Sequence, residues 1–470
     1  MSRGRQLINN TFILGIGSIL PKLTQFIVLP IYTAMLTKAE YGTYDLVNIL
    51  VSLLIPVITL QIERAAFRFL IDVREKDDTN KIISNVYIFV VLVSITVLLA
   101  MGFILIPLKF IIRVLILIYL FIDILISVTR QVVRGLGNNK VYSISAIIQS
   151  VINMLFAIIL LSILNWGLFG LLVSLNVANL FALLFLFYKV KILQRFQSSH
   201  YDKVFLKEML RYSIPLVPNS ISIWVVSLSD RMIVTAILGI EANAVYAVAN
   251  KLPNLIKLVY GNFNLAWQES ASLSSKDQDS EEYYGNVFNH LFDLLIGLTA
   301  ILIAASPILF TLLIKGSYEE AYYQMPFLYL GIFFSTLSSY YGGIYVALKR
   351  TKQIGFASIA VAVINIIVNL VFIKQIGIYA ASISTLVSYL LLVIYRTFDL
   401  KKLVNIKYQW KKIFFYLLVI IIMAVLNYQR ETLLDIINAV LGCSFALIIN
   451  WRMVNKLIIK FFRLKYTKNL

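Results

Sequence analysis

The chain is dominated by apolar runs of about twenty residues, the length at which a helix rising about 1.5 Å per residue crosses a hydrocarbon core. About fourteen such runs are separated by polar or Gly/Pro punctuation. They fall at approximately 8–36, 45–69, 82–107, 110–135, 141–164, 167–189, 209–239, 243–268, 286–314, 321–348, 353–374, 377–398, 412–428 and 433–458. With 60% hydrophobic and 14% charged residues over 470 positions, the composition fits a chain whose solvent is a bilayer. The longest polar connections, Arg195–Arg211, Ser272–Gly285 and Thr397–Lys412, are too short to bury a core of their own. The first run, interrupted by Gly15, Lys22 and Pro30, is too long for a signal-peptide core and is expected to stay as an uncleaved helix.

The 42 Lys+Arg and 23 Asp+Glu leave a net charge of +19. The basic residues cluster between apolar runs, and with the N-terminus inside roughly thirty-two of them fall in or beside cytoplasmic segments. Arg3/Arg5, Arg74/Lys76, Arg130/Arg134/Lys140, Lys189 to Arg211, Lys349/Arg350/Lys352, Arg396 to Lys412 and Arg452 to Lys468 then share one side. An even helix count puts both termini in the cytoplasm of a bacterial cell. The excess charge is accounted for by insertion and contact with anionic membrane lipid, with no nucleic-acid partner expected. One cysteine, Cys443, and two histidines, His200 and His290, leave no basis for a disulfide framework or metal centre, and no cofactor is expected.

The sequence also resembles itself. A shift of 202 residues matches Leu36/Leu238, Tyr44/Tyr246 and Asn48/Asn250, while a shift of 212 matches Lys140/Lys352 and Val151-Ile152-Asn153 with Val363-Ile364-Asn365. Both shifts pair one helix with the sixth after it in the same orientation, which implies parallel repeats with a cavity between two lobes. The expected fold is an all-α polytopic membrane protein. Its parts are an N-lobe of helices 1–6 (residues 1–196), a C-lobe of helices 7–12 (197–400) and a C-terminal helix pair with a basic tail (401–470).

Polar residues inside the apolar runs fall on faces. Asn250, Asn254, Lys257, Gly261, Asn264 and Gln268 recur at spacings of four and three on the eighth run. Ser220, Trp224, Ser227 and Arg231 do so on the seventh, Gly15, Ser18, Lys22 and Gln25 on the first, and Gln61, Arg64 and Arg68 crowd the inner third of the second. A charge at mid-membrane costs about 2.5–3.5 kcal/mol on insertion scales, so each such residue needs a partner, a water-filled cavity or a function. The Asn and Ser positions also suit helix-to-helix bonding, and Arg64 and Arg68 also suit snorkelling beside a cytoplasmic loop. Lys22, Arg231, Lys251 and Lys257 lack obvious acidic partners, Asp123 being the one other mid-membrane carboxylate besides Asp230, and a cavity with surplus positive charge suits an anion. Asp123 and Asp293 are the candidates for ion coupling. Pro21, Pro30, Pro215, Pro218 and Pro253 allow bending in the same helices.

Pro215-Leu-Val-Pro-Asn219 through Ser229-Asp-Arg231, Leu238-Gly239, Tyr246-Ala-Val-Ala-Asn-Lys251 and Asn264-Leu-Ala-Trp-Gln-Glu-Ser-Ala271 are similar to the polysaccharide-unit (Wzx-type) flippases of the polysaccharide transporter family. Asn9-Asn10, Gly15, Pro30 and Leu36-Thr-Lys-Ala-Glu-Tyr-Gly-Thr-Tyr44 resemble the first-helix-and-turn signature of that family. The resemblance covers essentially the whole chain. It implies the multidrug/oligosaccharidyl-lipid/polysaccharide exporter fold and a cation-lined cavity. It further implies a substrate built as an oligosaccharide repeat unit on undecaprenyl diphosphate, flipped to the outer leaflet for capsule or O-antigen assembly. Lys22, Arg231, Lys251 and Lys257 fit the cationic positions, with polymerase and glycosyltransferase partners conceivable.

Two rivals belong to other classes. A drug exporter of the same superfamily would use buried carboxylates such as Asp123, Asp293 or Glu63, whereas the mid-membrane charge here is mostly positive. A membrane polymerase would carry a sizeable outer loop, and the outer loops are short. Asp277-Gln278-Asp279 has the form of a metal-and-nucleotide-sugar motif but stands in a short loop with no α/β domain around it, so a non-enzymatic transporter is the expectation.

Overall fold

The computed structural model describes residues 3–73 and 75–466. The described residues are helical almost throughout and form two compact units, residues 1–228 and 229–470, the division falling inside a helix. The first unit contains α1 (Arg3–Met35), α2 (Lys38–Ile58), α3 (Ile62–Asp72), α4 (Lys76–Ile104), α5 (Phe110–Gly135), α6 (Asn139–Ala157) and α7 (Gly167–Val190). Two short helices follow, α8 (Ile192–Arg195) and α9 (Lys203–Ser213), and then α10 (Val217–Leu238) leads into the second unit. That unit continues with α11 (Ile240–Ala249), α12 (Leu255–Leu273), α13 (Ser280–Leu313), α14 (Glu319–Ala347), α15 (Thr351–Ile376), α16 (Tyr379–Leu400), α17 (Trp410–Gln429) and α18 (Thr432–Tyr466).

Ten helices among the described residues are long and apolar enough to cross a membrane: α2, α4, α5, α6 with its π-helical end, α7, α13 and α15 to α18. The other four apolar runs correspond to α1, α10, α11–α12 and α14. The case of α14 is instructive, because its 29 residues are rich in Tyr, Ser and Gly yet almost wholly buried. It is the centre of its unit, packed by α11, α12, α13, α15, α16 and α17. A helix enclosed by other helices meets no lipid, so it can carry hydroxyls that its neighbours satisfy.

Two expected helices are broken. The run 45–69 divides at Leu60 and Gln61, whose φ values of 47° and 59° are left-handed and end the helical ladder. The run 243–268 divides between Ala249 and Leu255, where Pro253 lacks the amide that would continue it. At this second break Asn250 Nδ2 donates to Tyr246 O at 2.8 Å and Asn254 Nδ2 to Asn250 O at 2.8 Å. Each of these carbonyls also accepts a backbone amide, from Asn250 and Asn254 respectively, so the side-chain amides add a second donor at the break.

The internal repeat reappears as matching bonds in each unit. Asn48 Nδ2 donates to Tyr44 O at 2.8 Å, as Asn250 does to Tyr246. Asn153 accepts from Ser174 on the following helix at 3.1 Å, and Asn365 donates to Ser384, likewise on the following helix, at 3.3 Å.

The turn after α1 is stitched by Glu40. Thr37 and Glu40 form a reciprocal capping box, and the second oxygen of Glu40 accepts the Leu168 amide at the start of α7 at 3.0 Å. Gly167, with φ of 52°, stands so close that a Cβ there would fall 2.3 Å from Glu40 Oε1. Outside the membrane-spanning helices, the linker to α9 is held to α4. The buried Asn85 accepts the Asp202 amide at 2.9 Å and donates to His200 O at 2.9 Å, while Lys81 pairs with Asp202 at 2.8 Å. Asp202 also caps α9 through the Val204 and Phe205 amides, and the Lys81 bond together with these amides holds its carboxyl below the usual aspartate range.

Two predictions follow from these ties. Glu40→Ala removes the capping box and the α7 contact together, and a loss of about 1–2 kcal/mol is expected, read as a lowered melting temperature of detergent-solubilised protein. Because Asp202 is depressed in the folded state, its contribution is present above the unfolded value near about 3.9 and is lost as pH falls through the lower folded value. Hydrogen exchange over residues 197–213 should therefore stay slow at neutral pH and accelerate only in that acid range, and Asp202→Asn should abolish the acid step.

Candidate functional site

In the second unit Arg231 on α10 and Lys257 on α12 lie within electrostatic reach of each other and of Asp230. The helix carrying Lys257 is two-faced. Ile256, Tyr260, Trp267 and Ala271 are buried, and Trp267 stacks on Tyr340 at 4.7 Å while its Nε1 donates to Tyr340 O at 2.9 Å. The other face leaves Lys257 and Gly261 exposed, with nothing within 4 Å of a Cβ built on Gly261. Asn264 and Gln268 continue that face half-buried, Asn264 Oδ1 accepting from Tyr260 at 3.2 Å. Lys257 Nζ stands 6.0 Å from the centre of the Tyr389 ring. Lys251, at the break before α12, is partly exposed and bonded.

Asp230 explains the Ser229-Asp-Arg231 segment. It is buried and accepts from Tyr246 at 3.3 Å, from Thr385 at 2.8 Å and from Asn369 at 3.2 Å, so one carboxylate ties α10, α11, α15 and α16. Its neighbour Arg231 is left half-exposed on the other side of the helix. A tie on one residue and a cation on the next is a separation of labour that the sequence Ser229-Asp-Arg231 alone gives no means of reading.

In the first unit the expected residues are spread over three helices. Lys22 and Gln25 are exposed on α1, whereas the side chain of Ser18 lies outside those described. Arg64 and Arg68 are not in the interior of a spanning helix but on the exposed face of α3, past the break, where Arg68 pairs with Asp72 at 2.6 Å. Gln61 is turned inward and donates to Ser220 Oγ at 2.9 Å. Trp224 Nε1 donates to Ile49 O and Ser52 Oγ, each at 3.1 Å. Ser220 and Trp224 therefore dock the start of α10 on α2 and α3 instead of lining open space, and the side chain of Ser227 is outside those described. Asn250 and Asn254 are likewise occupied with their own backbone at the α11–α12 break.

The carboxylates expected to couple ions have protein partners. Asp293 Oδ2 accepts from Lys412 at 2.7 Å, and the Asn450 amide donates to Asp293 O at 3.1 Å, which docks α17 and α18 on α13. Asp123 accepts from Asn179 at 3.4 Å, Asn179 from Gln149 at 2.5 Å, and Gln149 from Arg130 at 2.7 Å. Arg130 follows Asp123 by two turns of α5, so the chain of amides joins a cation and an anion of opposite sign across α5, α6 and α7. Among the described residues no group of three or more His, Cys, Asp or Glu could hold a metal ion.

The profile of the family described as Polysaccharide biosynthesis protein matches residues 7–268, and that of Lipid II flippase MurJ matches residues 233–449. No curated protein matches significantly. Among solved structures, the lipid II flippase MurJ in an inward closed conformation has a TM-score of 0.69 at 15% identity, covering 95% of this chain and 100% of its own. A multidrug resistance MATE transporter of the MOP superfamily, outward-facing, has a TM-score of 0.57 at 14% identity, covering 85% of this chain and 96% of its own. A MOP superfamily transporter from Pyrococcus furiosus, described by the reverse polarity of its binding pocket, has a TM-score of 0.56 at 14% identity over 84% of this chain and 95% of its own. With more than half its length matched by one profile, the chain belongs to the polysaccharide biosynthesis protein family, as a multi-pass membrane protein with the flippase and transporter fold of the MOP superfamily.

Proposed function

We propose that this protein flips undecaprenyl-diphosphate-linked oligosaccharide repeat units from the cytoplasmic to the outer leaflet, with Arg231 and Lys257 as the contacts for the diphosphate. The observation that carries this reading is the convergence of two cations from different helices beside the open polar face of α12. In lipid such charges are unfavourable unless an aqueous path or an anion compensates them. At about 4 Å and an effective dielectric near 20, each is worth roughly 4 kcal/mol to a phosphate before desolvation is subtracted, so two together can outweigh that cost. Lys22, Arg64, Arg68 and Lys251 are proposed as further cationic contacts along the route, and the breaks at Leu60–Gln61 and Asn250–Pro253 as points where helices bend during alternating access.

Family membership supports a polysaccharide precursor as the cargo, and the two cations suit an anionic lipid headgroup better than an organic cation. Export of about two negative charges across an inside-negative potential of 100 mV is favoured by roughly 4–5 kcal/mol if the anion crosses the field alone. The membrane potential is therefore a sufficient driving force, and Asp123 and Asp293 are free to serve packing.

Proteoliposomes holding the purified protein should translocate an undecaprenyl-diphosphate oligosaccharide, with Arg231→Ala and Lys257→Ala each slowing it at least about tenfold, the value of one charge-assisted contact, while insertion and melting temperature are kept. Normal rates in both variants would remove the site assignment. Preferential flipping of lipid II would move the substrate to the peptidoglycan precursor, and efflux of an organic cation without lipid translocation would replace the function. Neutralising both Asp123 and Asp293 should leave the potential-driven rate within about twofold, and its loss in protein that still folds would make one of them a coupling site.

A further inference from the structure

Arg396 counts in the sequence among the basic residues that mark the cytoplasmic side, yet the structure buries it in α16 with only 4% of its surface exposed. Its Nη1 donates to Ser338 O on α14 at 2.5 Å. Its Nε is buried with no hydrogen-bond partner, and the side chain makes no ion pair among the described residues. Asp399, one turn further on, accepts from Tyr345 at 2.7 Å. A buried cation without a counter-charge is unfavourable enough that such groups are normally paired or kept for a ligand.

The surroundings give this cation an opening. Gly342 on α14 is partly exposed, and the only group within 4 Å of a Cβ built there is Arg396 Nη1, at 3.6 Å. The absent side chain leaves a notch through which the guanidinium can be approached. Seven residues earlier on α16, about two turns or roughly 10 Å along the axis, stands Tyr389, whose ring faces Lys257 Nζ. Arg396 and the Arg231–Lys257 pair thus lie along one track on α16, α14 and α12, with an aromatic hydroxyl between them.

We propose that Arg396 is a second anion-binding station for the lipid-linked diphosphate, reached through the Gly342 notch and about two helical turns along α16 from Tyr389, the ring that Lys257 faces. The chemistry is a charge-assisted bond to a phosphate oxygen from Nη1, the nitrogen that borders the notch and whose other N–H is held by the Ser338 carbonyl. This assignment rests on the functional reading above for the identity of the anion.

The test uses full-length protein in nanodiscs for binding of sugar-free undecaprenyl diphosphate, and proteoliposomes for translocation of the oligosaccharide form. Arg396→Gln should weaken undecaprenyl diphosphate binding about tenfold and raise the half-saturating substrate concentration more than it lowers the maximal rate, with partial recovery in Arg396→Lys. Gly342→Val, which fills the notch and keeps the arginine, should weaken binding in the same direction with an unchanged melting temperature. Translocation by the wild type with wild-type affinity in Arg396→Gln and Gly342→Val overturns this inference alone. So does a loss of affinity in Arg396→Gln that only tracks a lowered melting temperature while Gly342→Val binds normally, since Arg396 is then a strap between α14 and α16. Absence of undecaprenyl diphosphate binding and of translocation in the wild type overturns it together with the functional reading.

Discussion

Inside a hydrocarbon layer no water is at hand to satisfy a backbone amide, a carbonyl or a charge, so the protein must supply each partner from its own chain. The helical architecture follows from that, and so do its irregularities. Where α2 ends at Thr59, the Thr59 hydroxyl donates back to Ile55 O at 2.8 Å and accepts the Gln61 amide at 3.2 Å, giving that amide a partner at the break. At the second break the Asn250 and Asn254 side chains bond the carbonyls four residues back. Asparagines that look in sequence like a cavity lining are therefore occupied with the backbone of a broken helix.

The same constraint sorts the charged residues. Asp230, Asp123 and Asp293 each meet a donor from another helix, and in doing so each fixes the packing of three or four helices. Replacing one partner of such a buried arrangement generally costs more than the arrangement contributes as a whole, because the survivor is left uncompensated. Carboxylates placed this way hold together the helices within each unit. The cations Lys257, Lys22 and Arg64 are instead exposed.

Much of the fold was legible in the sequence because hydropathy over about twenty residues reports directly on contact with lipid. Asn48 and Asn250, which the shift of 202 residues pairs, make the same bond to the carbonyl four residues back. What escaped was whatever depended on tertiary enclosure. The break at Leu60–Gln61 has no Gly or Pro to announce it, only two ordinary residues driven to positive φ. Of the candidate site, the polar face of α12 that carries Lys257 and Asn264 was readable from helical spacing. The docking role of Ser220 and Trp224 was not, because a polar stripe looks the same whether it faces water or a neighbouring helix. Arg396 was misplaced for a related reason: charge near a helix end reads as an interfacial residue, and only its position against Ser338 and Gly342 shows it turned inward.

A flippase for an anionic lipid has to bind its cargo strongly enough to draw it from one leaflet and weakly enough to release it into the other. A single deep cationic site serves the first need at the expense of the second, as channels illustrate when they conduct through several sites of moderate strength. On the proposed reading, two stations flanking Tyr389 on α16, each built on one or two cations, would divide that work. Neither station would then hold both phosphates with all the available charge, and the anion could exchange one set of contacts for the other. If the cargo is a lipid-linked diphosphate, the potential itself favours its outward movement, and graded cationic contacts suit the remaining task of lowering the headgroup's barrier better than a tight single pocket.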